Sequence, residues 1–325
     1  MKTFRALAAV AGAATLGVAL TACGSSNSTD ASASAPDTGA ASAATGAGVA
    51  CPNGTLNFGV EPYDDAAKLI PAYQKVAEDL GAKLGCKVNL QIAQSYVAEI
   101  LAMKNGKLDL AEFGPAGFVF ASQQANAVPL ASFADADGKV STYTAGIWVK
   151  KGSDITDLKS LAGHTLALSE AGSTSGDWVP RYALVNAGVD KDVKIQYAGG
   201  HPESLAALTH GKIDAAEINS QTQASATDAG TFDASQYTEI WKSDPILNDP
   251  ITASPSLSPE AQKAIQDALT SLTAADFTVG GDGAIATELD FTPPTSGPAM
   301  VAVTVADYKP LFDLQKALGL TTKDL

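Results

Sequence analysis

The sequence predicts an α/β fold with largely parallel sheets, built as two lobes of similar construction. Two observations carry this prediction. Strand-like apolar runs alternate with helical patterns along most of the chain, which is typical of βαβ units. One helix-to-strand segment also occurs twice without a gap: residues 96–113 read YVAEILAMKNGKLDLAEF, and residues 201–218 read HPESLAALTHGKIDAAEI. In both copies a helix ends at Gly-Lys and a strand with Asp and Glu follows, so we expect two related lobes.

The N-terminus is predicted to be an export signal, residues 1–22, and not part of the fold. It has a basic start and an apolar run too short for a comfortable transmembrane helix. The run ends in Leu-Thr-Ala before Cys23, which resembles the lipobox of bacterial lipoproteins and implies cleavage before Cys23 and lipidation of that residue. The alternative is an ordinary signal peptide with an incidental cysteine. Either way, we expect the chain to leave the cytoplasm.

Residues 23–50 are predicted to be a flexible linker. Their composition of Ser, Ala, Gly and Thr cannot bury enough apolar surface to fold. About 275 residues remain, which is enough for two modest lobes with hydrophobic cores. We expect lobe 1 to comprise residues 51–144 and 247–325, and lobe 2 to comprise residues 145–246.

Cysteine and charge content limit the kinds of site that are possible. Two cysteines, Cys51 and Cys86, remain after Cys23, and in an exported domain we expect them to form a disulfide. A metal site is the weaker alternative, because none of the 3 histidines stands in a metal-binding spacing with them. The net charge of −14 makes nucleic acid an unfavourable partner. Arg5 and Arg181 are the only arginines, so a bound anion must be held by local donors.

The elements of the first part of the chain follow from periodicity and stop signals. The helix at residues 66–84 has apolar residues at helical spacing and a stop at Gly85. The other predictions rest on short apolar or alternating runs and on helical patterns ended by glycine or polar residues. They are strands at residues 55–60, 87–93 and 108–113, and helices at residues 96–105 and 118–126.

The second part is predicted in the same way. A strand at residues 143–150 crosses into lobe 2, and a return crossing at residues 242–251 contains two Asp-Pro steps, which favour extended backbone. The remaining predicted elements are a short helix at residues 153–162, strands at residues 165–168, 193–197 and 238–241, and helices at residues 182–187, 259–272 and 307–318.

Three consecutive hydroxyl residues, Ser173, Thr174 and Ser175, stand between a strand and a helix. A helix start has backbone N–H groups without partners and partial positive charge, and hydroxyls beside it add donors, so the stretch suits an oxyanion. The alternative is a simple N-cap. The repeat also places Tyr96 opposite His201, each at a helix start and therefore at the sheet edge where ligands of open α/β folds bind.

Five short motifs occur in a fixed order: Ser-Thr-Ser-Gly at 173–176 with Pro180 downstream, Ala-Gly-Gly-His at 198–201, Gly-Lys-Ile-Asp at 211–214, Ile-Trp-Lys-Ser at 240–243 and Asp-Pro-Ile at 249–251. Together they resemble the substrate-binding proteins of phosphonate, phosphite and phosphate-type ABC importers. The resemblance covers residues 56–320 or so and implies a two-lobed, type II periplasmic-binding-protein fold. In that fold mixed, mostly parallel sheets are joined by a two-strand hinge and close on a ligand.

The resemblance also implies a ligand site. Its residues would be Tyr96, Tyr143, Ser173, Thr174, Ser175, His201 and Asp249, with Gln221 at a position where some phosphonate binders carry a glutamate that holds an amino group. A neutral amide pairs poorly with an ammonium group, which favours phosphite, methylphosphonate or hydrogen phosphate. Asp249 beside an anion requires a proton between them, so we expect it to select a ligand with a P–O–H group.

The implied protein is a monomeric, lipid-anchored receptor on the outer face of the bacterial cell membrane. It would deliver a phosphorus oxyanion to an ABC permease without cofactor, metal or catalysis. One alternative is a phosphoester hydrolase with Ser173 or Ser175 as nucleophile and His201 as base, although the chain lacks the Gly-x-Ser-x-Gly spacing at this place. Another is a binding protein for a different small solute, since Tyr96 and Tyr143 could stack on a ring.

Overall fold

The computed structural model describes residues 50–51, 53–277 and 292–321. The predicted signal, Cys23 and nearly all of the predicted linker lie outside these residues. The main helices are α1 (Ala66–Leu84), α2 (Tyr96–Lys104), α3 (Pro115–Gln124), α4 (Val179–Ala187), α5 (His201–Thr209), α6 (Ser220–Asp228), α7 (Pro259–Leu269) and α8 (Lys309–Ala317). No helix in the described ranges is long and apolar enough to cross a membrane.

The strands form two larger sheets and one small one. Sheet 1 has the order β13-β4-β12-β3-β1-β2, and sheet 2 has the order β10-β6-β9-β7-β8. The strand bounds are β1 (Thr55–Val60), β2 (Lys87–Ile92), β3 (Leu110–Glu112), β4 (Val128–Phe133), β5 (Thr142–Tyr143), β6 (Ala145–Lys150), β7 (Thr165–Leu168), β8 (Lys194–Tyr197), β9 (Ala215–Asn219), β10 (Tyr237–Lys242), β11 (Ile246–Leu247), β12 (Ile251–Ala253) and β13 (Met300–Ala302).

Both larger sheets are mixed, and each contains one parallel trio. The trios are β2-β1-β3 in sheet 1 and β8-β7-β9 in sheet 2, which are the βαβ units that the sequence predicts. The other pairs are antiparallel, so parallel pairing is less frequent than predicted. The reason is topological. Strands β6 and β12 enter their sheets on passages from the other sheet and not through helical crossovers, and they run against their neighbours.

The chain passes from sheet 1 to sheet 2 between β4 and β6, and it returns between β10 and β12. On these two passages β5 and β11 pair with each other as a small antiparallel ribbon. The predicted two-strand connection is therefore present. The lobe boundaries predicted after residues 144 and 246 fall at this ribbon.

Each larger sheet has a hydrophobic core on both faces, because successive residues of a strand point to opposite sides. In sheet 1, Leu110 packs with α1 and α7, whereas its neighbour Ala111 packs with α2 and α3. In sheet 2, Leu166 and Ala167 divide in the same way between two cores. These helices hold the ends of the parallel strands, and the loops that follow them, in place.

The sequence predicts a helix at residues 153–162, where the structure has only a short 3-10 turn, Lys159–Leu161. Local side chains compete there for the backbone N–H groups. The Ser160 hydroxyl accepts from the N–H groups of Thr156 and Asp157, and the Asp157 carboxylate accepts from the N–H of Ser160. From the sequence we also expect a loop-rich region at residues 277–298, and most of it lies outside the described residues.

Cys51 and Cys86 form a disulfide in the structure, with their Cα atoms 6.4 Å apart. The bridge ties the start of the described domain to the turn between α1 and β2. Neither cysteine lines the cavity that is described below. We therefore expect the bridge to affect stability and not ligand binding.

Replacing both cysteines with serine should lower the free energy of unfolding by about 3–4 kcal/mol in the chain-entropy account of a loop of this length. Urea denaturation monitored by circular dichroism measures this change, and the parent protein after reduction serves as a control. Equal stabilities of the double variant and the oxidised parent would contradict the expectation. A large change in ligand affinity would contradict the separation of the two roles.

Candidate functional site

A small cavity lies where the parallel strands of the two larger sheets end. The space open to the centre of a water-sized sphere is about 10 Å³, so it admits only a very small solute. The structure brings together all eight residues that the sequence predicts for the site, and no Lys or Arg lines the cavity. The lining residues are Glu61, Tyr63, Tyr96, Tyr143, Ser173, Thr174, Ser175, His201, Asn219, Gln221 and Asp249.

Several helix N-termini surround this cavity. Helix α2 begins at Tyr96, α5 begins at His201, and α6 begins one residue before Gln221. The helical run that contains α4 begins at Thr174. Because each helix start carries partial positive charge and N–H groups without intrahelical partners, their convergence favours a bound anion. The helix N-termini therefore favour an anion locally, although the net charge of the chain is −14.

The predicted oxyanion stretch begins just after β7. Ser173 precedes a π-helical turn, Thr174–Trp178, that runs directly into α4. The Ser173 hydroxyl accepts a hydrogen bond of 3.1 Å from the N–H of Gly176, so the capping interpretation of this residue is correct. The Thr174 hydroxyl oxygen accepts a bond of 2.8 Å from the N–H of Ala116 in α3. Thr174 therefore also links the turn that follows β7 of sheet 2 to helix α3 beside sheet 1, which the sequence did not predict.

The buried Asp177 carboxylate stabilises this turn through hydrogen bonds. It accepts hydrogen bonds from the N–H of Gly172 at 3.0 Å and from the Tyr197 hydroxyl at 2.7 Å. Gly172 has a φ of 94°, a left-handed conformation that glycine adopts without strain. Arg181 lies 3.3 Å from the same carboxylate. The single arginine beyond the predicted signal thus supports the turn and does not line the cavity.

Gly176 is required by the close packing of the same turn. A Cβ atom at this position would lie 1.6 Å from the Ser169 Oγ atom and 3.0 Å from the His201 Cε1 atom. No side chain fits in that space without moving the strand end or the imidazole ring. The absence of a side chain at Gly176 therefore allows the hydroxyl turn and His201 to approach each other.

His201 is oriented by a buried carboxylate. Its Nδ1 atom lies 3.0 Å from Glu217 Oε2, and its Nε2 atom lies 3.4 Å from the Oγ atoms of both Ser173 and Ser175. Burial raises the pKa of Glu217, and the neighbouring His201 opposes that shift. The contact with Glu217 points Nε2 at the hydroxyl turn.

The side of the cavity that belongs to sheet 1 is acidic. Glu61, Glu99, Glu112 and Asp249 are all buried there. Burial raises the pKa of Asp249 to about 7, although interactions with Glu112 and His201 oppose the shift. Burial and the charge of Asp249 raise the pKa of Glu112 in turn. Burial thus favours the protonated form of both carboxyl groups, and their titrations depend on each other.

Two tyrosines complete the cavity. Burial raises the pKa values of Tyr96 and Tyr143, so both phenols are protonated at neutral pH. The Tyr96 hydroxyl interacts with Ser173, and the Tyr143 hydroxyl interacts with Thr174 and Ser175. Both tyrosine hydroxyls thus lie against the hydroxyl turn, where each can donate or accept a hydrogen bond.

Sequence reasoning missed three residues that line the cavity: Glu61, Tyr63 and Asn219. It also missed the role of Glu217 behind His201. The repeat contains a signal for the last of these, because Glu112 and Glu217 occupy the same position in its two copies. Each stands in a strand whose end faces the cavity, and each contacts the titratable residue beside it, Asp249 or His201.

Other features of the structure do not compete with this site. No group of His, Cys, Asp or Glu within the described ranges could hold a metal ion. A cavity of about 720 Å³ lies between α4, the return passage and α8. It is lined largely by apolar groups such as Val179, Leu311 and Leu314.

Comparison with protein families gives one match over most of the chain. Residues 58–297 match the family described as "ABC transporter, phosphonate, periplasmic substrate-binding protein". The chain is 29% identical over 218 residues to the phosphate-import protein PhnD of Mycolicibacterium smegmatis, covering 63% of this chain and 68% of that one. It is 29% identical over 218 residues to the phosphonates-binding periplasmic protein of Escherichia coli, covering 65% and 64%.

Solved structures resemble the fold. PhnD1 from Prochlorococcus marinus in complex with methylphosphonate matches with a TM-score of 0.70 and 20% identity, covering 82% of this chain and 99% of that one. A binding protein component of a phosphonate ABC transporter from Pseudomonas aeruginosa matches with a TM-score of 0.68 and 22% identity, covering 80% and 85%. At these identities the likeness bears on the fold, which is that of type II periplasmic binding proteins.

Proposed function

The chain belongs to the family of periplasmic substrate-binding proteins of phosphonate ABC transporters, and from this premise we propose that it binds one small phosphorus oxyanion in the cavity between the two larger sheets. The single observation that carries the proposal is the composition of the cavity. Helix N-termini, hydroxyls and tyrosines supply donors from several sides, and no Lys or Arg is present. Neutral donors and helix dipoles can bind an anion without a charged partner. Selection among anions then depends on the geometry of the hydrogen bonds and on which ligand oxygens carry protons.

The ligand contacts divide between the two halves of the protein. Ser175, the helix start beside it and His201 would bind ligand oxygens from the side of sheet 2. Tyr96 and Asp249 would meet the ligand from sheet 1, and Tyr143 from the connecting ribbon. We propose that the two halves, residues 51–144 with 247–325 and residues 145–246, move about that ribbon as lobes. Ligand binding and closure would then be one event.

Three contacts between the halves support this closure. The Ala116 N–H bonds to Thr174, as described above. The Phe120 and Trp178 rings pack edge to face with centroids 5.2 Å apart. The Lys68 ammonium group lies 3.0 Å from the Ser225 hydroxyl, between α1 and α6. These contacts join α1 and α3 to the turn and α6, so they would form and break with lobe motion.

The favoured ligands are phosphite, methylphosphonate and hydrogen phosphate. The cavity is small, and Gln221 lines it where an amino group would need a carboxylate. The names of the relatives, a phosphate-import protein and a phosphonate-binding protein, support this class. A ring-containing solute is disfavoured, since the Tyr96 and Tyr143 hydroxyls point at the hydroxyl turn.

The proposal includes the setting of the protein. The predicted lipobox would anchor Cys23 in the membrane, and residues 23–50 would hold a monomeric domain near its ABC permease. The receptor would release its ligand to that permease unchanged. No nucleic acid and no cofactor take part.

Isothermal titration calorimetry on ligand-free protein tests the central claim. We expect saturable binding of at least one of phosphite, methylphosphonate and phosphate, with no binding of sulfate under the same conditions. Sulfate carries no proton that it could donate to Asp249, so the sulfate titration is the control. Absence of heat with all three phosphorus oxyanions, from protein that is folded by circular dichroism, would refute the proposal.

A second candidate function has one observation in its favour. Ser175, His201 and Glu217 stand in the order of a nucleophile, a base and an orienting carboxylate. A binding protein uses the same arrangement to direct a hydrogen bond at an anion, and the 3.4 Å contact is shared between two serines. Multiple turnovers with a model phosphoester, lost in Ser175→Ala, would support a hydrolase.

A further inference from the structure

Two carboxyl oxygens in the cavity wall have no hydrogen-bond partner among the described residues. They are Glu61 Oε2 and Asp249 Oδ1, and both atoms are buried. Both residues line the small cavity from the side of sheet 1, opposite the hydroxyl turn. A buried polar atom without a partner is costly, so a ligand that completes both hydrogen bonds is favoured.

The position of Glu61 is set by its surroundings. It follows the last residue of β1 and is 2% exposed. Its carboxyl group lies against the start of α3, where the N–H of Gly114 interacts with it. A Cβ atom on Gly114 would lie 2.5 Å from Glu61 Oε1, so glycine is needed for this approach. One carboxyl oxygen is therefore held by the protein, and the other is left for the cavity.

The charges around Glu61 are almost all negative or neutral. Carboxyl groups face it from α2, from the end of β3, from the passage before β12 and from the loop after β7, and phenols face it from the residues near α1, α2 and β5. The one side chain here that could carry positive charge is His201, which is already paired with Glu217. Burial and these carboxylates raise the pKa of Glu61 well above its usual range, although the Gly114 N–H opposes the shift. The surrounding titratable residues are Glu99, Glu112, Glu170, Asp249, Tyr63, Tyr96, Tyr143 and His201.

We propose that Glu61 is a specificity-determining residue, which keeps its proton in the closed site and donates it in a hydrogen bond to a bare oxygen of the ligand. This assignment rests on the proposed function, and it adds a second proton-dependent contact beside Asp249. Asp249 accepts a hydrogen bond from a P–O–H group, while Glu61 donates one to a P–O⁻ group. Binding therefore depends on the protonation of two different oxygens of the ligand, one at Asp249 and one at Glu61.

The two contacts together define the chemistry of the ligand. A singly protonated phosphorus oxyanion carries both kinds of oxygen, so it satisfies Glu61 and Asp249 at once. Sulfate offers only bare oxygens, so it satisfies Glu61 but leaves Asp249 facing a like charge. As the pH rises through the pKa of Glu61, its donor becomes an anion that repels the ligand. Affinity is therefore expected to fall with rising pH by more than the titration of the ligand alone explains.

Glu61→Gln tests the assignment, because an amide group donates a hydrogen bond at every pH. The dissociation constants of parent and variant are measured by calorimetry with methylphosphonate and with phosphite between pH 6 and pH 9. The ligand titrates identically in both experiments, so the ratio of the two constants isolates Glu61. We expect the two affinities to agree within about threefold at pH 6, and we expect the variant to bind at least about tenfold more tightly than the parent once the pH exceeds the pKa of Glu61 by about one unit.

Two further variants complete the experiment. Glu61→Ala has no donor and should bind at least about tenfold more weakly than the parent at pH 6. Glu78→Gln removes an exposed carboxyl group of α1 that is not among the groups that shift the pKa of Glu61, and it should keep the parent's pH dependence. Circular dichroism at each pH confirms that all variants are folded.

Several results would overturn the assignment. A constant ratio near one, together with parental affinity of Glu61→Ala at pH 6, would mean that Glu61 only caps α3. Equal weakening of Glu61→Gln at every pH would mean that Glu61 acts as an ionised acceptor. Selective loss of an aminoalkylphosphonate would make it an ammonium receptor. If the parent binds no phosphorus oxyanion at any pH, the proposed function fails and this assignment fails with it, whereas the other outcomes leave the proposed function intact.

Discussion

Asp249→Asn is expected to weaken the binding of phosphite about 100-fold at neutral pH and to raise the affinity for sulfate. In the parent the carboxylate accepts a hydrogen bond from the ligand's P–O–H group, and a charge-assisted bond of this kind contributes about 1.5–3 kcal/mol. The amide presents an N–H donor or an uncharged oxygen in the same place. It accepts the P–O–H proton less strongly and no longer repels an oxyanion without a proton.

The environment of Asp249 explains why this substitution matters more than an ordinary loss of charge. Its pKa of about 7 places its ionisation within the working range, and it interacts with Glu112, whose pKa is raised by burial and by the charge of Asp249. Replacement by Asn breaks that pair as well as the ligand contact. The effect on affinity should therefore shrink below pH 6, where Asp249 in the parent is also protonated.

Calorimetry with phosphite and sulfate at pH 6 and pH 8 measures both parts of this expectation. Asp244→Asn is the matched control, because it changes the other Asp-Pro step of the return passage at an exposed position. The control should leave both affinities unchanged. Phosphite binding by Asp249→Asn at parental strength would show that Asp249 does not contact the ligand.

Gly176→Ala should destabilise the protein by about 3 kcal/mol or more and weaken oxyanion binding at least about 100-fold. The added methyl group would lie 1.6 Å from Ser169 Oγ, which is far inside van der Waals contact. Ser169 stands at the end of β7, and the His201 ring bounds the other side. Relief of the clash must therefore displace the hydroxyl turn or the imidazole, and either movement separates groups that bind one ligand.

Urea denaturation and calorimetry on the same preparations distinguish the two effects. Gly81→Ala is the control, since a Cβ atom in that position of α1 would lie 2.7 Å from the Cys86 carbonyl oxygen, away from the residues that line the cavity. This variant should lose stability and keep the parent's affinity. A Gly176→Ala protein with parental stability and affinity would mean that the turn adapts freely, against the packing described here.

The comparison between sequence and structure is most informative around His201 and Asp249. The repeat correctly placed Tyr96 and His201 at helix starts, because glycine stops, capping residues and periodicity are local signals. It could not show that Glu217 lies against His201 or that Glu112 interacts with Asp249, because each of these contacts joins different strands or loops. The predicted helix at residues 153–162 failed for a local reason, the competition of Ser160 and Asp157 for backbone N–H groups.

The sequence by itself determined the alternation of strands and helices, the internal repeat and the residues from which an anion site could be built. These properties depend on neighbours a few positions away along the chain. Only the tertiary structure decided which carboxyl groups face the cavity and in which direction their pKa values shift. Glu61, Glu112 and Asp249 come from three separate segments, and the protonation state of each follows from burial and from the charges that folding brings beside it.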